Sequence, residues 1–355
     1  MPTLQGLPQE LLELIFLYSM NLNLARASPD LGRKLSSKAV IMEFVMRSFF
    51  HTVDHKVRIK SHNDDHTAFT SDKNLQSELF TCRFFDWSFF LSYVDKAHDE
   101  FVKIRGKLWE SLVVPDAGAF DGLWPFKFTK IEHLGFAKGF HVPEKLLHGP
   151  WTASKASLLY VLVSFSGEID WEGGMAGETA KEGLKEAIRE ENEHAVAALS
   201  VLLGVANAIT TDTILFAAMH NDSDDNILRH LLFNAQILYG STPRETLDFY
   251  DPALWAFADS KAENGESFKD MLKDAEKFSL DLYRDGETDW TKIVPFPYSG
   301  ARFDTTRLNR LSRELLAKLY RNHGRKITEP AFGARRARSI PRGILRDILL
   351  HDPMA

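Results

Sequence analysis

Leu7-Pro8-Gln9-Glu10-Leu11-Leu12-Glu13-Leu14-Ile15-Phe16 decides how the rest of the chain is read. Pro8 fits the first position of a helix, where its missing N–H costs nothing because that donor has no intrahelical acceptor. Glu10 falls in the first turn, where the helix dipole favours a negative charge. Leu11, Leu12, Ile15, Phe16 and Tyr18 then cover an apolar face too broad for a single neighbour. Working outward, Ser28-Pro29-Asp30 predicts a second helix, with Ser28 as N-cap, Pro29 at the first position and Leu31 and Leu35 on its apolar side. A third apolar stretch runs from Val40 to Phe50.

Leu-Pro-x-Glu-Leu-Leu-x-x-Ile-Phe, a short polar break and a second small helix resemble the opening of an F-box, over residues 5–50. The resemblance implies a small helical module that docks on the Skp-type adaptor of a cullin–RING ubiquitin ligase and leaves the rest of the chain to hold a target protein. Carried over by position, it implies that Leu7, Pro8, Leu11, Leu12 and Ile15 are the adaptor contacts. The second half departs from the family pattern: Ala25-Arg26-Ala27-Ser28 stands near where the family has its valine–cysteine stretch.

Composition is that of a folded chain: of 355 residues, 44% are hydrophobic and 26% charged, and 26 are Phe. Cys82 is the one cysteine, which excludes internal disulfides and any Cys₄ or Cys₂His₂ zinc site and fits a reducing compartment. No run reaches the ~18 apolar residues of a membrane helix, and no basic segment precedes the apolar stretch within Met1–Met20. The expectation is a cytoplasmic or nuclear protein with no membrane partner. The net charge of -6 is unevenly spread: residues 301–355 hold 13 of the 43 Lys/Arg and 5 of the 49 Asp/Glu, a local balance of +8. The acidic remainder repels nucleic acid.

Between Thr52 and Asp72 the chain turns polar, with His51, His55, His62 and His66 as candidate metal ligands. Two His-x-x-x-His pairs share a face only if both segments are helical, and Ser61 to Thr67 reads as a loop. From Leu75 to Phe101 a single helix is predicted, because Phe80, Phe84, Trp87, Leu91 and Val94 recur at steps of 4, 3, 4 and 3. Arg83 and Asp86 would pair on its polar face, and Cys82 would be a buried, inert thiol. Pro115 to Gly139 reads as an irregular aromatic segment.

After Pro143 the pattern becomes one of short helix pairs: 144–147 with 154–163, 180–188 with 194–203, 213–219 with 226–233, and 252–258 with 267–272. A Leu or Trp stands three residues before an Ala (Leu184/Ala187, Leu215/Ala218, Trp255/Ala258), and paired apolar residues follow (Leu202-Leu203, Leu231-Leu232, Met271-Leu272). This resembles a degenerate ankyrin array, although the paired positions step by 29 and 40 rather than 33 and no Thr-Pro-Leu-His occurs. Such stacks present a surface and carry no built-in reactive centre. An ordinary helical domain of antiparallel hairpins fits the same pattern. Thr242-Pro243-Arg244-Glu245 and Asp251-Pro252 are further helix starts. Asp222, Asp224 and Asp225 lack the Gly and closing Glu of a calcium loop, and Gly173 to Gly177 reads as a connection rather than a phosphate cradle.

At the C-terminal end, Asp304 caps a helix from Thr305 to His323 with a Leu308, Leu311, Leu315, Leu319 stripe and a basic remainder. Arg335-Arg336-Ala337-Arg338 is a short candidate nuclear-import address. Aromatic residues are not interleaved with the basic ones, so no nucleic-acid partner is expected. No nucleophile elbow, H-E-x-x-H or kinase set occurs, and no cofactor is implied.

The expected fold is therefore mainly α: an F-box-like module (1–50), a connecting region with an aromatic core helix (51–142), an ankyrin-like array of antiparallel helix pairs (143–280) and a basic helical segment (281–355). The expected function is a non-enzymatic substrate-recognition adaptor of an SCF-type ligase. The alternatives are a helical-repeat scaffold without ligase association and a metal-dependent enzyme using the His51–His66 cluster.

Overall fold

The computed structural model describes residues 4–55, 71–106, 132–137, 139–165, 167–171, 173–205, 208–220, 227–232, 247–261, 265–273 and 275–276. Among them the regular structure is helical, and the extended pairing is a lone parallel bridge between His141 and Glu168. The mainly α expectation holds. His62 and His66, Asp222 to Asp225, the Thr242 capping box, the Thr305–His323 helix and the Arg335–Arg338 cluster lie outside the described residues. The chain divides into two compact units that meet between Phe140 and His141, close to the change of pattern expected at 143.

The first unit contains α1 (Gln9–Ser19), α2 (Asn23–Arg26), α3 (Pro29–Leu35), α4 (Lys38–Ser48), α5 (Lys73–Thr81) and α6 (Trp87–Arg105). Ser28 and Ser37 start α3 and α4 by accepting hydrogen bonds from the amides of Leu31 and Val40. α1 packs on α3 and α4, and the Phe16 ring stacks on Phe44 at 4.4 Å. α4 continues the core, packing on α5 and α6. Phe49, Phe80, Phe90 and Phe140 are fully buried and meet around Phe136, and the buried Phe85 joins them through Phe49 and Phe80, forming one aromatic core. The expected modules 1–50 and 51–142 share this unit rather than standing apart.

The single helix expected over Leu75–Phe101 is two helices. The backbone turns extended at Cys82, and the Asp86 carboxylate restarts the helix by accepting from the Phe89 amide at 2.8 Å. Asp86 is thus an N-cap rather than the ion-pair partner of Arg83. The buried stripe of α6 is Phe90, Tyr93, Val94, Ala97 and Phe101. Phe85, carried inward by the break, is buried where Phe84 is only half covered.

The second unit contains a 3-10 turn at Glu144–Leu146, then α7 (Ala153–Ser164), α8 (Ala176–Arg189), α9 (Glu193–Val205), α10 (Thr211–His220) and α11 (Pro252–Asp259), with further helical turns at 227–232 and 265–273. These match the predicted pairs closely. Contacts run along two rows. The 144–146 turn packs on α8, α8 on α10 and α10 on α11, while the second helices α7 and α9 pack on each other; α8 also closes against α9 within its own pair. Successive pairs therefore lie side by side, each touching its neighbours.

Candidate functional site

Helix α1 has two apolar sides. Leu12 and Phe16, four residues apart, point into the first unit and are buried. Leu11, Leu14, Ile15 and Tyr18 follow at i, i+3, i+4 and i+7 and face solvent, with Leu11 48% exposed, Ile15 39% and Tyr18 76%. Leu4 is also exposed beside the start of the helix. Monomeric surfaces seldom leave such large apolar side chains contiguous. Polar groups frame the stripe: Arg47 lies 5.2 Å from the Tyr18 ring, bonds Glu43 at 2.9 Å and donates to the Leu17 carbonyl at 3.3 Å. Lys34 holds the approach to α1 by donating to the Gln5 carbonyl at 2.8 Å.

Of the five positions assigned to adaptor contact, the structure leaves Pro8, Leu11 and Ile15 exposed and Leu7 half-buried. Leu12 is corrected: it has no exposed surface and belongs to the core. Leu14 and Tyr18 join the face instead. The 3-4-7 spacing from Leu11 was the signal for them, and it reads as a second stripe once Leu12 and Phe16 are assigned inward.

Of the four candidate ligands only His51 and His55 lie among the described residues. His51 stands 3.6 Å from Glu100, while His55 is buried with its Nε2 2.8 Å from the Phe50 carbonyl oxygen and its ring stacked on Phe50 at 4.0 Å. Burial is the main cause that lowers the His55 pKa below the usual histidine value; the Phe50 carbonyl opposes it. Among the described residues no group of three or more His, Cys, Asp or Glu side chains is placed to hold a metal. Cys82 is only half-buried, at the end of α5 rather than inside a helix, and the Arg26 guanidinium lies 3.8 Å from its sulfur.

The second unit offers a different surface. Its large apolar side chains that stay well exposed among the described residues are Trp171, Met175, Met219 and Tyr250. All four lie on the first helices or in the turns leading into them. The second helices α7 and α9 are instead enclosed along most of their length, from Ala156 to Val163 and from Ala195 to Gly204. The first-helix row is thus the face this unit turns outward.

Along that row the anchors differ slightly from expectation. Leu184 and Ala187 are buried as read, but in α10 and α11 the buried partners of Ala218 and Ala258 are Ile214 and Leu254, while Leu215 and Trp255 remain half-exposed. A spacing of four places two side chains nearer to one face than a spacing of three does. No family model, curated protein or solved structure matches this chain.

Proposed function

We propose that the chain is a non-enzymatic substrate-recognition adaptor of an SCF-type cullin–RING ubiquitin ligase, binding a Skp-type adaptor through α1 and a target protein through the first-helix row of the second unit. The observation that carries the reading is the solvent-facing stripe of Leu11, Leu14, Ile15 and Tyr18 on a helix whose sequence resembles an F-box opening. Removing these half-exposed side chains from water would contribute on the order of 1 kcal/mol each, and the protein's own fold leaves that surface uncovered. The ankyrin-like reading of residues 143–280 is supported by the two rows of helices.

Co-purification of a Skp-type adaptor with the intact protein tests this. Ile15→Asp or Leu11→Glu, which place a charge in an apolar contact without touching the core, should abolish it. Leu12→Ala should instead lower the urea midpoint, costing about 2–5 kcal/mol as a core cavity. Wild-type protein that retains no adaptor at roughly micromolar concentration would end the ligase reading. The same row of helices would then serve a scaffold without ligase association, a reading favoured by its exposed Trp171, Met219 and Tyr250.

A further inference from the structure

The acidity of the chain is local. Residues 1–140 hold 17 Asp/Glu and 17 Lys/Arg, whereas residues 141–276 hold 23 Asp/Glu and 10 Lys/Arg, a net of -13. The array that presents exposed aromatic and Met side chains is therefore also the part of the molecule with a strong negative field.

The two properties meet at the turn before α8. Trp171 is 44% exposed and Met175 67% exposed, with Gly173 and Gly174 between them. Asp170 shapes the turn by accepting from the Gly173 amide at 2.8 Å and lies 3.8 Å from His141. Glu144 comes up beside the other glycine, its Oε1 3.7 Å from where a Gly174 side chain would start. Gly177, in the first turn of α8, lets the Trp171 indole approach the helix closely: a Cβ there would collide with the ring. The exposed indole is thus held against the start of α8, in a turn that also carries the Asp170 carboxylate and meets that of Glu144. An aromatic face beside carboxylates suits a guanidinium or ammonium group, which gains from both the ring quadrupole and the charges. Met219 and Tyr250 are exposed on or just before the next two first helices, so a ligand that also reaches them must be extended rather than a single small cation.

We propose that the first-helix row binds a basic, extended segment of a partner protein, with Trp171, Asp170 and Glu144 receiving an Arg or Lys side chain. This rests on the reading of the array as the target-holding part and is independent of what α1 binds.

Fluorescence anisotropy on the intact protein tests it, with a fluorescein-labelled peptide alternating Arg and Ala and its counterpart alternating Glu and Ala. The Arg peptide is expected to bind, more weakly as salt is raised, and the Glu peptide not to bind. Trp171→Ala should weaken the Arg peptide about ten-fold. Gly177→Ala should do the same while keeping the indole, because it displaces the ring and favours the helix. Asp170→Asn with Glu144→Gln should weaken it further. Equal affinity for wild type and both Trp171 and Gly177 variants overturns the proposal, as does equal binding of the two peptides. Binding of the Arg peptide that emerges only when Arg335, Arg336 and Arg338 are changed to Ser would also overturn it, and would make the chain's own basic segment the occupant. Adaptor co-purification, measured separately with Ile15→Asp, reports on α1 alone, so failure at either surface is distinguishable from failure at the other.

Discussion

Gln76 is a fully buried amide in an aromatic core, and it is completely used. Its Nε2 donates to the carbonyls of Ser48 at 3.0 Å and Gly135 at 2.9 Å, and its Oε1 accepts from the Ala137 amide at 2.8 Å. One side chain thus ties the end of α4 and the 135–137 turn to α5. Gln76→Leu would strand two carbonyls and an amide, and is expected to cost roughly 2–5 kcal/mol, read as a lowered urea midpoint. His55 gives a pH dependence with a defined sign. Its folded-state pKa lies below the ordinary 6.5, chiefly because burial disfavours the imidazolium. Between those two values the unfolded chain binds the proton and the folded one does not, so stability is fully present above the ordinary value and falls as pH drops through it. The urea midpoint should decline from pH 7.5 to 5.5, and His55→Gln should remove part of that decline. Neither role could be read in the sequence. The carbonyls that Gln76 bonds lie 28 and 59 residues away, and the spacing of His51 and His55 carries no sign of the Phe50 ring stacked on His55.

At the scale of the element, local chemistry was largely legible where a cap announced it. Ser28-Pro29 and Asp251-Pro252 begin helices as read, and each cap side chain accepts the expected amide. The α5–α6 break was not legible because apolar periodicity runs through it without a gap. Of the 4-3-4-3 positions only Phe80 and Val94 are buried, because the extended residue at Cys82 re-phases the second helix and turns Phe85 and Phe90 inward instead. Asp86 was the available signal, since an Asp three residues before Phe89 can serve equally as a mid-helix side chain or as a cap. Asp86→Ala should cost about 1 kcal/mol and Asp86→Ser much less, if the cap and not a surface ion pair holds the start of α6; equal losses for both would remove that account. The face of α1 shows the same ambiguity from another side. The decamer shows an apolar face too broad for one neighbour, but only burial in the fold separates Leu12 and Phe16, facing in, from Leu11, Leu14 and Ile15, facing out.

For the molecule as a whole, the change of pattern near residue 143 was legible because helix lengths and spacing alter there, and the boundary between the compact units falls at Phe140. The joints of the array were not, because they depend on close approach. At Gly183 a Cβ would collide with the Leu147 carbonyl oxygen, so α8 and the segment before α7 meet backbone to backbone. Around that contact Trp151 Nε1 donates to the Gly183 carbonyl at 3.2 Å, the Gly149 amide to Glu186 at 2.6 Å and the Trp151 amide to Glu190 at 2.7 Å. Gly183→Val should force this joint apart at a cost of roughly 1–3 kcal/mol or more. Because α8 packs on the 144–146 turn, α9 and α10, while α11 packs on α10, the damage should stay near the joint. Hydrogen exchange should lose protection from the 144–146 turn through α7 and in α8, while Pro252–Asp259 keeps its own. Uniform loss across the second unit would instead mark it as a single cooperative core, and the ankyrin-like description of the array would go with it.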